Sequence, residues 1–224
     1  MLTQELADRI ARIKVADLSD ACRGLGVAAQ LSGPELRPAV PFSRLCGTAV
    51  TARIYVAPGA VDITEQVASV FEPGHTSVFR PVFVYQNDIP GFTAVGSGNG
   101  RVGLLSGFVG CLAGGPIRDT EELRDMPYPV FGTAVIPGGI RIEDVPAGSS
   151  MHLEVSQPVR IAGMLVRPGD VVVADNDGAI CIPPERLADV VADAEAILAD
   201  DERLFAAMEN GVTWLEFHRR ERRS

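Results

Sequence analysis

The chain has 224 residues, 46% of them hydrophobic, which is enough to bury a sizeable core in one large domain or two small ones. Its 29 acidic and 20 basic residues leave a formal charge of −9 and a pI of about 4.8, which argues against a nucleic-acid or anionic-membrane surface. No apolar run approaches the length of a membrane span.

Leu2, Leu6, Ile10 and Ile13 recur at helical spacing in a charged, amphipathic opening segment unlike a signal peptide, so a cytoplasmic protein is expected. A second helix is predicted from about Ala16 to Arg23, stopped by Gly24 and Gly26. Residues 30–43 hold Pro34, Pro38 and Pro41 and read as loop. The β-branched run from Gly47 to Val56 predicts a strand, Asp62 to Phe71 a short helix closed by Glu72-Pro73-Gly74, and Pro81 to Tyr85 another strand. A glycine-rich loop, Val95 to Gly100, leads into Arg101–Ser106. Phe108 to Ala113 reads as a buried strand, Asp119 to Arg124 as a short helix and Pro129 to Phe131 as a strand. Residues 138–158 turn polar and loop-rich, as strands at a sheet edge do. Val159 to Ile182 is the clearest all-β stretch, with turns at Pro168-Gly169-Asp170 and Asn176-Asp177-Gly178. Pro183-Pro184 then opens a long helix with Leu187, Val190, Val191, Ala194, Ile197 and Leu198 on one face, and Trp214, Leu215 and Phe217 mark a last helical segment. The pattern predicts one α/β domain over residues 1–224, with C-terminal helices at about 184–220.

The chemistry-bearing residues are few. Cys22, Cys46, Cys111 and Cys181 lie far apart in apolar surroundings and read as buried thiols rather than zinc ligands. His75, His152 and His218 are equally scattered. Lys14 is the only lysine and nothing around it suggests a desolvated pocket, so Schiff-base chemistry is not expected. The run Arg219-Arg220-Glu221-Arg222-Arg223 reads as a solvated tail. Two motifs remain. Gly96-Ser97-Gly98-Asn99 at a helix start exposes backbone N–H groups suited to an anion, although glycine clusters also mark plain turns. Arg118-Asp119, after Gly114-Gly115-Pro116-Ile117, sets a guanidinium for an anionic substrate beside a hard oxygen ligand for a divalent ion. The same residues also suit a helix start, with Asp119 as N-cap and Glu121 and Glu122 complementing the dipole.

In order and spacing, these pieces resemble the RraA-like family, which includes class II 4-hydroxy-4-methyl-2-oxoglutarate aldolases. The resemblance runs through Asp17-Leu18-Ser19-Asp20-Ala21, Leu45 to Thr51, Ala94-Val95-Gly96, Gly114 to Asp119, and Arg167 to Gly178. It implies a swivelling β/β/α-type sandwich that assembles as a trimer or a dimer of trimers. It also implies a Mg²⁺ or Mn²⁺ ion bound through Asp119, with the amides of Gly96, Ser97, Gly98 and Asn99 holding the carboxylate of a 2-keto acid. Arg118 would stabilise the developing enolate. C–C cleavage would release pyruvate, and oxaloacetate decarboxylation would share the enolate.

Two positions depart from the family pattern. Ser97 stands where an acidic residue usually supports a metal-bound water, and Gly114 stands where Asp is frequent. Asp175, Asp177 or Glu143 are candidates to compensate, although each also suits an ordinary turn or surface carboxylate. The segment between Val56 and Phe79 is longer than the resemblance leads one to expect and would reshape the pocket mouth. Two other readings compete. One is a non-catalytic regulator that binds and inhibits an RNase E-type protein through its acidic surface. The other is a quinone methyltransferase, for which the sequence lacks a glycine-rich nucleotide loop after the first strand.

Overall fold

The computed structural model describes residues 1–71, 77–139 and 144–221, so the turn predicted at Glu72-Pro73-Gly74, His75 and the candidate Glu143 lie outside the described residues. In chain order the elements are α1 (Gln4–Ile10), α2 (Val15–Gly24), β1 (Gln30–Leu31), β2 (Arg37–Pro38), β3 (Leu45–Pro58), α3 (Ile63–Phe71), β4 (Pro81–Asn87) and α4 (Ser97–Leu105). They continue with β5 (Gly110–Gly114), β6 (Pro116–Ile117), α5 (Thr120–Arg124), β7 (Val130–Gly132), β8 (Ala134–Val135), β9 (Ser149–Val155), β10 (Val159–Ile161) and β11 (Met164–Val166). The last are β12 (Val171–Asp175), β13 (Gly178–Ile182), α6 (Leu187–Glu209) and α7 (Trp214–Glu221).

Nine strands form one mixed sheet in the order β1-β13-β12-β3-β4-β5-β7-β2, with β9 paired along the second half of β3. The centre, β3-β4-β5-β7, is parallel throughout. Consecutive parallel strands need crossovers of one hand, which places α3, α4 and α5 on the same face. The alternation of side chains confirms that layering. Phe83, Tyr85, Cys111 and Ala113 join the cluster under α3–α5, together with Val50, Ala52 and Ile54 of β3. Their sequence neighbours Val82, Val84 and Leu112 point the other way, onto Ile161 and Met164 of the β10–β11 hairpin. At the far end of the sheet, Val171, Val173, Ile180 and Ile182 pack under α1, α2 and α6, while Val172 and Cys181 face the hairpin side. Helices therefore cover one face of the sheet and a β hairpin covers part of the other.

This is the mixed α/β fold with helical ends that the sequence predicts. Two details differ. Residues 30–43 are not all loop: Gln30–Leu31 pairs with β13 and Arg37–Pro38 with β7, two-residue strands too short to leave a period in the sequence. The turn at Pro168–Asp170 closes no hairpin but carries the chain from β11 on the outer layer into β12 of the main sheet, whereas Asn176–Asp177 does close the β12–β13 hairpin.

Candidate active site

In an open α/β sheet, ligands bind outside the carboxyl ends of the parallel strands, where loops diverge. Both sequence motifs arrive there. The chain leaves β4 at Asn87 and reaches the Gly96 loop and α4; it leaves β5 at Gly114 and reaches Arg118-Asp119. A parallel bridge between Val95 and Ile117, with the Arg118 N–H donating to the Val95 carbonyl (3.0 Å), joins the two segments.

The junction has one central contact. The Asp119 Oδ2 accepts from the Ser97 N–H (3.1 Å) and from the Ser97 hydroxyl (3.4 Å). Asp119 adopts a left-handed backbone (φ 57°, ψ 39°), a conformation that Asp tolerates better than most residues. Its backbone N-caps α5, but its side chain makes no cap bond there. The carboxylate instead meets the positive end of α4. Gly96 permits this approach: a Cβ there would stand 2.5 Å from Asp119 Oδ2 and 3.2 Å from Arg118 Nε. The Arg118 Nε lies 3.6 Å from the same carboxylate oxygen, and the side chain is about half exposed (48%), which leaves the guanidinium open to a ligand.

The structure thus brings Gly96, Ser97, Arg118 and Asp119 into one cluster. It divides the predicted anion loop, however. The Ser97 amide is committed to Asp119, and the Gly98 and Asn99 amides, at the exposed first turn of α4, have no acceptor among the described residues. Asn99 and Arg118 line one cleft of ≈ 450 Å³ with Phe92, Thr93, Pro137 and Gly138. Arg118 and Asp119 line an adjoining one of ≈ 470 Å³ with Glu121 and Glu122.

A hard divalent cation such as Mg²⁺ keeps most of its waters and takes one or two carboxylates. Asp119 fits that demand with Oδ1, which no described residue engages, on a side chain 35% exposed. No cluster of three or more His, Cys, Asp or Glu suited to an ion occurs among the described residues. Among the described residues of one chain, then, the fit is to a single-carboxylate site. Asp175 does not add to it: Oδ2 accepts from the Val15 N–H (2.9 Å) at the start of α2, and Oδ1 from the Asp177 N–H (3.0 Å). Nor does the place of Gly114 hold space for an acid, since a Cβ there would lie 2.9 Å from Ile161 Cδ1 and 3.1 Å from the Tyr85 carbonyl.

Sequence reasoning misses the residues that shape the cleft wall. Asn87 spans the loop after β4, donating to the Phe92 carbonyl (2.8 Å) and accepting from the Ile89 N–H (3.0 Å), and it fills the space beside Gly115. The Thr93 hydroxyl donates to the Gly138 carbonyl and binds the two walls together. A polar residue closing a strand before a Pro-Gly turn was the available signal at Asn87. Thr93 offered none.

Residues 15–181 match the family described as RraA-like: Aldolase/RraA. A Deinococcus radiodurans protein named "Putative 4-hydroxy-4-methyl-2-oxoglutarate aldolase" is 32% identical over 173 residues, 77% of this chain and 96% of that protein. Other relatives are matched over only part of their length: the chain spans 17% of protein DlpA of Legionella pneumophila and 45% of a Methanocaldococcus jannaschii protein. Among solved structures, an uncharacterized protein of Pseudomonas syringae pv. tomato superposes with a TM-score of 0.71 at 26% identity, covering 95% of this chain and 96% of that one. Streptomyces coelicolor RraAS2, described as an unusual member of the RNase ES inhibitor RraA protein family, gives 0.68 at 26% identity over 92% and 98%. The family match extends over most of the chain and its relatives share the fold, so the chain belongs to the RraA-like family.

Proposed function

We propose that this protein is a divalent-metal-dependent C–C lyase that cleaves a short carboxylated 4-hydroxy-2-keto acid, of the 4-hydroxy-4-methyl-2-oxoglutarate type, to pyruvate. The observation that carries the reading is the meeting of Arg118 and Asp119 with the N-terminus of α4. The name of the Deinococcus relative supports it.

On this reading, the Gly98 and Asn99 amides receive the substrate carboxylate at the positive end of α4. Asp119 would hold the metal ion, which supplies Lewis-acid polarisation of the 2-keto acid when bound. Arg118 faces the C2 oxygen. Breaking C3–C4 moves that electron pair into the C2–C3 bond and charge onto the C2 oxygen, and a guanidinium already in place stabilises it. The C4 hydroxyl loses its proton as C4 becomes a carbonyl, and C3 then takes up a proton to give pyruvate. Ser97 is uncharged and cannot accept the hydroxyl proton at neutral pH. Of the described residues lining the outer cleft, Glu121 and Glu122 are the carboxylates besides Asp119, and they are the acceptors we assign. Oxaloacetate decarboxylation passes through the same enolate and is an expected side activity.

The test is pyruvate release from 4-hydroxy-4-methyl-2-oxoglutarate and from oxaloacetate with added Mg²⁺. Turnover should stop with EDTA, and Arg118→Ala should cost on the order of 3 kcal/mol of transition-state stabilisation. No turnover on either substrate, or turnover indifferent to EDTA or to Arg118→Ala, overturns the reading.

A second reading follows from the charge of −9 and the likeness to RraAS2: a regulator that binds a basic segment of an RNase E-type protein. A purely inhibitory protein has no need of the Arg118-Asp119 pair, which favours the lyase. Co-purification with such a nuclease, combined with absence of turnover, would reverse the order.

A further inference from the structure

Behind the Gly96 loop lies a cavity that the reaction above does not use. Its volume is ≈ 140 Å³, and its walls include Val67 and Phe71 of α3, Val102 of α4, and Tyr85 and Tyr128. Well-packed cores contain few voids larger than a water molecule. An apolar cavity of about 150 Å³ stays dry and admits benzene. This one has the same capacity and an aromatic wall, since the Phe83 and Tyr85 rings stack at 5.3 Å.

Three features separate it from a packing defect. Val67 and Val102 on its wall are 36% and 45% exposed, so the space reaches solvent between α3 and α4. The Tyr85 and Tyr128 hydroxyls have no hydrogen-bond partner among the described residues, and although both side chains are mostly buried neither oxygen is fully enclosed. Burial pushes both phenols above their ordinary value, so they stand as neutral donors at physiological pH. Finally, Asn99 lines both this cavity and the cleft that holds Arg118.

We infer that the cavity binds a ring-sized apolar group carrying one hydrogen-bonding atom, and that this group is the substituent on C4 of the aldol. The second clause rests on the lyase reading. With the keto-acid head at Gly98, Asn99 and Arg118 and the C4 hydroxyl left towards the outer cleft, the group on C4 turns past Asn99 into an apolar chamber that has no cation among its described lining residues. The enolate-forming half that carries the lyase reading is common to all 4-hydroxy-2-keto acids; on C4, an aryl or branched-alkyl substituent suits that chamber better than the second carboxylate of 4-hydroxy-4-methyl-2-oxoglutarate, because an unpaired charge there is costly to desolvate.

The experiment has a binding arm and a turnover arm. Phenol and benzene are titrated into the full chain by calorimetry or ligand-observed NMR. Both should bind the wild type, and Val67→Phe, which fills the chamber from its rim, should abolish both. Tyr128→Phe should weaken phenol by about fivefold and leave benzene unchanged. Thermal melting of each variant checks that it folds. In the turnover arm, 4-hydroxy-4-phenyl-2-oxobutanoate should exceed 4-hydroxy-4-methyl-2-oxoglutarate in kcat/KM by about tenfold or more, and Val67→Phe should erase that preference. Absence of phenol and benzene binding to the wild type, or binding that survives in a folded Val67→Phe, overturns the inference. Preference for the dicarboxylate overturns its substrate clause. Binding as described with no aldol cleaved sinks the lyase reading and upholds the cavity as an apolar-ligand site.

Discussion

The carboxylate of Asp119 closes the N-terminus of α4, not that of α5, whose first residue it precedes: Oδ2 lies 3.1 Å from the Ser97 N–H nitrogen and 3.4 Å from the Ser97 hydroxyl. Two segments 22 residues apart in sequence are thereby held in one geometry. The side chain that would bind an ion is positioned by a helix end, and Ser97 acts as its donor where the family pattern suggests an acid.

That contact can be broken with little harm to the helix. Ser97 is the first residue of α4, where proline is well tolerated, and Gly96 before it is already extended (φ −127°, ψ −172°), as a residue preceding proline prefers. Ser97→Pro removes both donors to Asp119. A hydrogen bond to a charged group is worth about 1.5–3 kcal/mol, and solvent access to Asp119 favours the lower end. We expect kcat/KM for pyruvate release to fall by roughly tenfold, with a melting temperature within a few degrees of wild type. Ser97→Ala, which keeps the amide donor, should lose less than threefold by order of magnitude. Equal losses in both variants would show that the hydroxyl, not the amide, holds the carboxylate.

Gly96→Ala tests the same junction from the other side. The added methyl would stand 2.5 Å from Asp119 Oδ2, closer than atoms allow, so the carboxylate and the Arg118 stem must move together. The backbone conformation at Gly96 suits alanine, so little of the effect should fall on folding. The expected result is a drop in kcat/KM of about 100-fold or more, because angstrom-scale misplacement of catalytic groups has that cost. It should come with a near-unchanged circular dichroism spectrum. Wild-type kinetics in this variant would remove Asp119 from the mechanism.

Much of this architecture is readable in the residues, for identifiable reasons. The β-branched run at Leu45–Pro58, the turn-punctuated strands from Val159 to Ile182 and the apolar stripe of α6 each carry a long, periodic signal. Arg118 and Asp119 stand out because charge follows a buried strand and two glycines. What is not readable is non-local. Gln30–Leu31 and Arg37–Pro38 become strands only because β13 and β7 offer free edges. Thr93 matters through Gly138, 45 residues away, and the cavity wall is shared by α3, β4, α4 and Tyr128. Asp119 illustrates the limit best. The sequence supports both an N-cap and a site, and in the structure its backbone caps one helix while its side chain serves another.

The two ends of the chain are tied by a charge pair with a defined pH response. Arg9 of α1 donates through Nε (2.8 Å) and a terminal nitrogen (2.7 Å) to the two carboxylate oxygens of Glu195 in α6. The hydrogen bonds from Arg9 hold Glu195 below its ordinary value of 4.5. A carboxylate whose folded-state value is depressed contributes stability above its unfolded value and loses it as the pH falls through the folded one. Both side chains are about a third exposed (32% and 40%), so solvent screening keeps the effect small. Glu195→Gln should unfold at lower urea than wild type at neutral pH, and the gap should close as acidification carries the pH below the depressed folded-state value of Glu195. A gap that persists undiminished at low pH would assign the loss to packing.

Gly114 bears on whether the acid missing from this family position can be restored. It ends β5 under the hairpin, where a Cβ would meet Ile161 Cδ1 at 2.9 Å and the Tyr85 carbonyl at 3.1 Å. Ile161 is fully buried with Met164, Leu112 and Val84, so it cannot swing into solvent to make room. Gly114→Asp therefore overpacks a filled site and brings a carboxylate towards a backbone carbonyl, two effects of the same sign. We expect destabilisation of about 2–3 kcal/mol by urea unfolding. Trimming the opposing side chain removes the steric part alone. In the Ile161→Ala background, Gly114→Asp should cost less than it does in wild type, giving a coupling of about 1 kcal/mol in the double-mutant cycle. Strict additivity would place the cost on the carbonyl rather than on the hairpin. A coupling of the expected sign would mean that the hairpin on the outer layer has closed the position to an acid, so that Asp119 acts without a neighbouring carboxylate from this strand.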